Sequence, residues 1–341
     1  MPVHKRDIVD NPETLLKNLV ENGHIPNALL FTGQKESGRK KAALLFAQTI
    51  NCQLKDTLPS GETPCGQCIS CKKISIGEHP DIIIVKPEKN IIRISQIKTI
   101  FSSITAKPHE ADMRMILIED ADTMNREASN ALLKILEEPP PRTFFVLTAK
   151  SLTDLLPTII SRCRHIRFKP VSADALEKKL TADHGVDPTT ASTAAEYGNG
   201  SLDRAMRFAN IYDHIPDRED KIDWIKRRKW IINQISDIII SKEKDSLLIM
   251  TFAEKLSREK DLLGDSIVII RTWLRDIAVF RFSPDRVINK DATDLLKKAD
   301  ARFTPEKSVT LINDLYETEK KIQANTVPRL TLEAFLFRLI L

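Results

Sequence analysis

Short apolar runs alternate with helix-like stretches through the first half of the chain, and this alternation most constrains the fold. Between the runs, the stretches 38–51, 95–106 and 125–138 have the apolar spacing of helices. Strands that alternate with helices of this length are typical of a parallel, doubly wound sheet, in which ligands bind beyond the carboxyl ends of the strands. The five predicted strands are 28–31, 82–85, 115–119, 144–148 and 165–168.

The pattern changes after the last predicted strand. Residues 172–210 predict three short helices with glycine or polar breaks between them, and almost everything that follows has a helical pattern. We therefore predict three domains: an α/β domain over 1–169, a small helical domain over 170–212 and an all-helical domain over 213–341.

The charge of the chain is nearly balanced, with 52 basic and 47 acidic residues among 341. This mildly basic composition permits association with nucleic acid but does not require it. No apolar run approaches about 18 residues, and the start has no signal-like apolar region, so we expect a cytoplasmic protein without membrane association. The basic run 226–229 is interpreted as a solvated helix face rather than a DNA contact.

Four of the five cysteines lie within 52–71, as two overlapping Cys-x-x-Cys units and one cysteine further upstream. Thiolates at this spacing can surround one tetrahedral ion, with all four positions filled by protein. We therefore predict a structural zinc site that holds a loop and does no chemistry. A redox dithiol, free buried cysteines and an iron–sulfur cluster are the alternatives. The predicted ligands are Cys52, Cys65, Cys68 and Cys71.

The stretch FTGQKESGRKKAALLF has the outline of a phosphate-binding loop between a strand and a helix. Gly33 and Gly38 have the right separation, but Arg39 stands where the motif has Lys, and Lys40 where it has Ser or Thr. An ammonium group has no lone pair for a metal, so Mg²⁺ would be both unligated and repelled. It stays open whether phosphate or nucleotide binds weakly through the backbone and the side chains of Lys35, Arg39 and Lys40.

The second half of such a site is an apolar strand that ends in acidic residues, and MILIEDAD has that form. The usual order is Asp for the metal and then Glu to polarise water, whereas here Glu119 precedes Asp120. Each carboxylate is displaced by about one methylene, and a misplacement of ~1 Å can cost about 10²-fold in rate. We therefore predict a degenerate nucleotide site that does not hydrolyse ATP.

Residues 121–168 contain the segments NALLKILEEPP and LLPTIISRC, and the segments HPDIIIVKP and ISQIKTI precede them. With these segments the chain resembles the AAA+ clamp-loader family, whose bacterial members also carry the cysteine insertion. The resemblance continues through GNGSLDRA to the C-terminal helices, so it covers nearly the whole chain. It implies a RecA-like domain with a zinc insertion, a helical lid and a C-terminal collar that holds a pentameric ring.

The resemblance also implies roles for individual residues. Arg162 matches the family's arginine finger, offered to ATP on an adjacent subunit, with a structural salt bridge as the alternative. Thr148 and Ala149 lie in the place of sensor 1 and depart from the usual Thr-Thr pair. Arg204 lies in the place of the sensor 2 arginine, where an ion pair between domains is an equal alternative.

The implied function is that of a subunit without its own ATPase activity, in an assembly that loads the sliding clamp at primer–template junctions. Its partners would be the gamma or tau motor subunits and the delta subunit, with clamp and DNA reached through the assembly, in a replisome at the nucleoid. An ATPase motor subunit of the gamma or tau type competes with this interpretation but needs an intact loop. A stand-alone zinc-containing DNA-binding module also competes but needs a concentrated basic face.

Overall fold

The structure is a computed structural model that describes residues 12–34, 37–58, 63–104, 106–212, 222–241, 245–324 and 326–340. The chain divides into two compact units, Met1–Pro170 and Val171–Leu341. Because the contacts group the helices after residue 170 in one unit, the division of this half into a lid and a collar stays a prediction. Residues 213–221, at the predicted boundary, lie outside the described residues.

The described part of the first unit contains one sheet of five parallel strands, as the alternating pattern predicts. The strands are β1 (Ala28–Thr32), β2 (Ile82–Val85), β3 (Arg114–Ile118), β4 (Thr143–Ala149) and β5 (Arg164–Arg167). Their order across the sheet is β2-β3-β4-β1-β5. Leu30 of β1 lies opposite Leu147 on one side and His165 on the other. The carboxyl ends of β1 and β3 therefore lie along the same side of the sheet, separated by the carboxyl end of β4.

Helices cover both faces of this sheet. The described residues of the unit form α1 (Pro12–Glu21), α2 (Arg39–Asn51), α3 (Ile69–Ile76), α4 (Ile94–Ile104), α5 (Arg126–Glu137) and α6 (Pro157–Ile160). Leu29 and Phe31 belong to an apolar cluster with residues of α1 and α2, whereas Leu30 belongs to a cluster with residues of α4 and α5. Because successive strand side chains point to opposite faces, both faces are buried, which confirms the doubly wound arrangement.

The second unit is helical throughout its described part. It contains α7 (Ala173–His184), α8 (Pro188–Gly198), α9 (Leu202–Phe208), α10 (Trp224–Ile240), α11 (Ser246–Arg258), α12 (Lys260–Phe280), α13 (Thr293–Asp300), α14 (Pro305–Gln323) and α15 (Pro328–Arg338). Helix α12 packs against α10, α11, α13 and α14, and its Trp273 is completely buried. Within the described ranges, every helix is too short or too polar to cross a lipid bilayer.

Candidate nucleotide, metal and arginine sites

Local geometry explains both glycines of the loop between β1 and α2. Gly38 precedes α2 in the left-handed conformation, with a φ of 82°, which glycine adopts without steric cost. A Cβ atom at Gly33 would lie 2.5 Å from the carbonyl oxygen of Phe168. The chain therefore needs glycine at both positions whether or not a phosphate binds. Lys35 lies outside the described residues, so its predicted contact with phosphate stays a prediction.

The two cations of the loop lie next to the two carboxylates that follow β3. Lys40 Nζ is 2.9 Å from Glu119 Oε1, and Arg39 Nη2 is 3.7 Å from Asp120 Oδ1. Arg39 is only 6% exposed; burial lowers its pKa, and the carboxylates around it oppose this effect. The helix dipole disfavours cations at the start of α2, so the acidic pair compensates them. The carboxylates in the places of the metal ligand and the water-polarising residue are thus paired with cations of the same chain.

Thr148, at the predicted sensor 1 position, supports the acidic end of β3. Its Oγ1 accepts a hydrogen bond of 3.0 Å from the backbone N–H of Asp120. Asp120 has a φ of 48°, a conformation that aspartate tolerates better than most residues. Around the loop, Ser37 Oγ, Arg39 Nη1 and Asp122 Oδ1 are buried without a hydrogen-bond partner among the described residues. Each of these atoms is a group that a water molecule or small ion can satisfy.

The four clustered cysteines come together in space, as their spacing predicts. The Sγ atoms of Cys52, Cys65, Cys68 and Cys71 all lie within 4.8 Å of one another. Those of Cys65 and Cys71 are 3.9 Å apart, far beyond the ~2.05 Å of a disulfide. This separation is close to the ~3.8 Å edge of a tetrahedron with metal–sulfur bonds of ~2.3 Å. The arrangement can therefore hold a metal ion through four sulfurs.

Backbone N–H groups point toward two of these sulfurs. Cys65 Sγ accepts from the N–H groups of Gln67 and Cys68 at 3.4 and 3.3 Å, and Cys68 Sγ accepts from that of Cys71 at 3.4 Å. The hydrogen bond from Cys68 is the main reason that the pKa of Cys65 is lowered to about 6. Burial raises the pKa of Cys71. Because the thiolate is the metal-binding form, a cation among the sulfurs would compensate the burial of its charge.

Arg162 follows α6, and both Nη atoms of its guanidinium group form contacts within the unit. Nη1 donates to the carbonyl oxygen of Thr158 at 2.9 Å, and Nη2 donates to Glu137 Oε1 at 2.5 Å. The side chain remains 34% exposed, so another molecule can reach it. The contact with Glu137 is an ion pair, which is the alternative that the sequence allows for Arg162, and the arginine's role toward a neighbour's nucleotide stays a prediction. Sequence reasoning missed Glu137, although it lies in the segment NALLKILEEPP.

Arg204 forms an ion pair within the second unit. Its Nε is 3.3 Å from Asp265 Oδ1, and Arg207 Nη1 is 3.2 Å from Asp265 Oδ2. Asp265 is a buried residue of α12, and a buried carboxylate is stable only with such partners. The ion pair is one of the two interpretations that the sequence allows for Arg204, and contact with nucleotide stays a prediction. Nothing in the sequence connects Asp265 with Arg204, so this partner was missed.

The basic run 226–229 is only partly solvated. Arg227 lies 5.7 and 5.9 Å from the ring centroids of two tryptophans and forms an ion pair with Glu259. Arg228 is 7% exposed and donates to Asp291. The interpretation of the run as a solvated face is therefore wrong for its two arginines, which stabilise the second unit.

Comparisons with known proteins agree with the architecture. A family model described as DNA polymerase III, delta subunit, matches residues 9–172, and the model of its C-terminal part matches residues 222–340. The chain is 29% identical over 324 residues to the DNA polymerase III subunit delta' of Bacillus subtilis, across 91% of this chain and 90% of that protein. It is 28% identical over 270 residues to a DNA polymerase III subunit gamma of Buchnera aphidicola, across 75% of this chain and 72% of that protein.

A solved structure shares the fold. The DNA polymerase III gamma subunit-related protein of Thermotoga maritima aligns with a TM-score of 0.50 at 18% identity, across 96% of this chain and 97% of that one. A similarity at this level of identity shows the fold alone. It supports the assignment of the parallel sheet and the helices that follow it to one known architecture.

Proposed function

This chain belongs to the delta-prime branch of the bacterial DNA polymerase III clamp-loader family, and we propose that it serves clamp loading without hydrolysing ATP itself. The pairing at the glycine loop carries the proposal. Lys40 and Arg39 contact Glu119 and Asp120, so the loop's cations and the strand's carboxylates compensate each other. A site in which an ammonium group lies beside the metal-binding carboxylate repels Mg²⁺, which phosphoryl transfer requires.

The chain's contribution to catalysis, in this proposal, is Arg162. The side chain is accessible on the surface of the first unit, and the planar fork of an arginine matches the oxygens of a transferring phosphoryl group. An arginine supplied by a neighbouring protein can accelerate such a reaction about 10³- to 10⁵-fold. We infer that Arg162 is offered to ATP on an adjacent gamma or tau subunit.

The proposed setting is an assembly with gamma or tau and delta subunits, which are the kinds of protein that the family and the similar sequences represent. Through this assembly the chain would act on the sliding clamp and on primer–template DNA, in a replisome at the nucleoid. In the run 226–229, the two arginines are engaged within the second unit, so of this run only the exposed lysines Lys226 and Lys229 are available to DNA.

We propose that the four cysteines hold Zn²⁺ as a structural ion. The donor set of four sulfurs and the 3.9 Å separation of two of them fit tetrahedral zinc. An ion bound here would join the end of α2 to the start of α3, because Cys52 follows one helix and Cys68 caps the other. All four positions are filled by protein, so the ion would hold this segment and take no part in catalysis.

ATP turnover tests the proposal in two stages. The isolated chain should show no turnover above background, and appreciable turnover would favour the alternative, a motor subunit of the gamma or tau type. In the reconstituted assembly, Arg162→Ala should lower the turnover number at least tenfold, whereas Arg126→Ala, which removes an exposed arginine of the same unit, should leave it unchanged. Equal rates for the Arg162→Ala and wild-type assemblies would overturn the finger role.

A further inference from the structure

The orientation of Arg162 is set by partners from two different helices. Thr158, within α6, takes a hydrogen bond from Nη1, while Glu137, the last residue of α5, takes one from Nη2. Thr158 lies in the short helix α6, which Arg162 directly follows, so this contact is local. Glu137 belongs to a helix whose buried face is packed into the sheet. The carboxylate therefore connects the guanidinium group to a helix that packs against the sheet.

The hydrogen bond to Glu137 matters because the side chain of an exposed arginine is otherwise mobile. Its side chain carries about 2 kcal/mol of rotamer entropy, which a finger would lose when it meets a phosphoryl group. The guanidinium group has five N–H donors; two contacts and a longer one of 3.5 Å from Nη1 to Ser161 Oγ engage its two Nη atoms. Because the group is planar, contacts that hold both Nη atoms also set the direction of Nε–H. Holding a reacting group in its productive geometry is one of the main sources of catalytic acceleration.

We propose that Glu137 is a positioning residue for Arg162, which aligns the guanidinium group before the neighbour's nucleotide arrives. The inference rests on the proposed role of Arg162 as a finger. Glu137 acts by accepting a hydrogen bond from Nη2, so its side chain must be long enough to place an acceptor oxygen there, whereas its negative charge is not required. It touches neither nucleotide nor metal, and it makes the arginine effective without joining the reaction.

Three substitutions separate reach from charge. Glu137→Ala removes the acceptor, Glu137→Asp keeps the charge but shortens the side chain by one methylene, and Glu137→Gln keeps an acceptor oxygen at the same reach. In the reconstituted assembly we expect about a tenfold lower turnover number for the Ala and Asp variants. The Gln variant should stay within about threefold of wild type, and the KM for ATP should be unchanged in all three, because the nucleotide is bound by another subunit. Glu138→Ala is the matched control, since Glu138 is the exposed neighbour of Glu137, and it should behave as wild type.

A double substitution shows whether Glu137 acts through the arginine. The assembly with both Arg162→Ala and Glu137→Ala should be no slower than the one with Arg162→Ala alone, because the positioned group is already absent. A further loss in the double variant, a wild-type rate for Glu137→Ala, or a wild-type rate for Glu137→Asp would overturn the positioning role. If Arg162→Ala alone has no effect, the finger role itself is wrong, and the two failures are thus distinguished.

Assembly is measured independently by size-exclusion chromatography of each reconstituted complex. If the Ala variant does not assemble, the comparison between the Asp and Gln variants decides, since each changes only one property of the side chain. An Asp variant faster than the Gln variant would contradict the proposal, because charge rather than reach would then carry the effect.

Discussion

Asp120→Asn and Glu119→Gln each remove one negative charge from the pairs at the glycine loop. Both changes keep the shape of the side chain. Asparagine also tolerates the φ of 48° at position 120. The hydrogen bond to Thr148 uses the backbone N–H of residue 120, so neither change removes it. Differences in stability between the two variants therefore report the charges around Arg39 and Lys40 rather than a change of shape or the loss of that hydrogen bond.

The two variants should differ because their cations differ in burial. At the 3.7 Å between Arg39 and Asp120, the attraction of two unit charges is about 4 kcal/mol at an effective dielectric constant of about 20. Water screens the partly exposed carboxylate, so Asp120→Asn should lower the free energy of unfolding by about 2 kcal/mol. Lys40 is 45% exposed, and Glu119→Gln should therefore cost less than about 1 kcal/mol.

Urea unfolding followed by far-ultraviolet circular dichroism measures both values. The chain's three tryptophans, Trp224, Trp230 and Trp273, all lie in the second unit, so their fluorescence reports that unit and serves as an internal reference. At a working metal site, the removal of clustered charges commonly stabilises the fold at the expense of function. An Asp120→Asn protein as stable as wild type, or more stable, would refute the reasoning that the chain neutralises this site.

Three further outcomes are expected. Purified protein should contain about one equivalent of zinc by metal analysis, and Cys71→Ser should lose it; retention of the metal in that variant would contradict the ligand assignment. Burial alone would raise the pKa of Asp81, but three backbone N–H groups and Arg114 outweigh burial and hold that pKa below its usual range. The contribution of Asp81 to stability is therefore complete above the unfolded pKa of about 3.9 and is lost as the pH falls through the lower folded pKa. Asp81→Asn should flatten this acid dependence, and urea unfolding at neutral pH should show a free energy of unfolding lower by about 3 kcal/mol. Gly33→Ala should destabilise the first unit by about 1–3 kcal/mol, since its Cβ meets a backbone carbonyl, whereas Gly264→Ala, in an open position of α12, should stabilise the second by up to about 1 kcal/mol.

The sheet could be predicted because its strands are buried apolar runs between amphipathic helices, and these leave a strong signal in the sequence. The predicted strand 28–31 differs from β1 by one residue, and the predicted helix 125–138 differs from α5 by one residue at each end. Helices α1, α3 and α6 were missed. Helix α1 does have a buried face, with Leu15, Leu16 and Leu19. Helix α3 exposes Ile69 and Ile76, and α6 has only four residues, so neither of these two shows the period of a buried helical face.

The cysteine cluster was predictable since its spacing encodes the geometry of one ion. The ion pairs were not, because charged residues far apart in sequence are brought together by the fold, and each has many possible partners. Glu119 and Lys40 were both recognised, and their place at one edge of the sheet follows from the strand pattern. Their contact with each other cannot be inferred from that pattern. The same holds for Glu137, whose partner Arg162 was recognised alone, and for Asp265, which joins two arginines of α9.

Arg39 and Lys40 carry their counter-ions within their own chain. In a competent ATPase, the net charge of this region changes each time ATP is exchanged for ADP, and the subunit's conformation follows the ratio of the two nucleotides. Here the charges are balanced before any nucleotide arrives. On the proposed function, we therefore expect the first unit to offer its neighbours a surface that does not vary with the ratio of ATP to ADP.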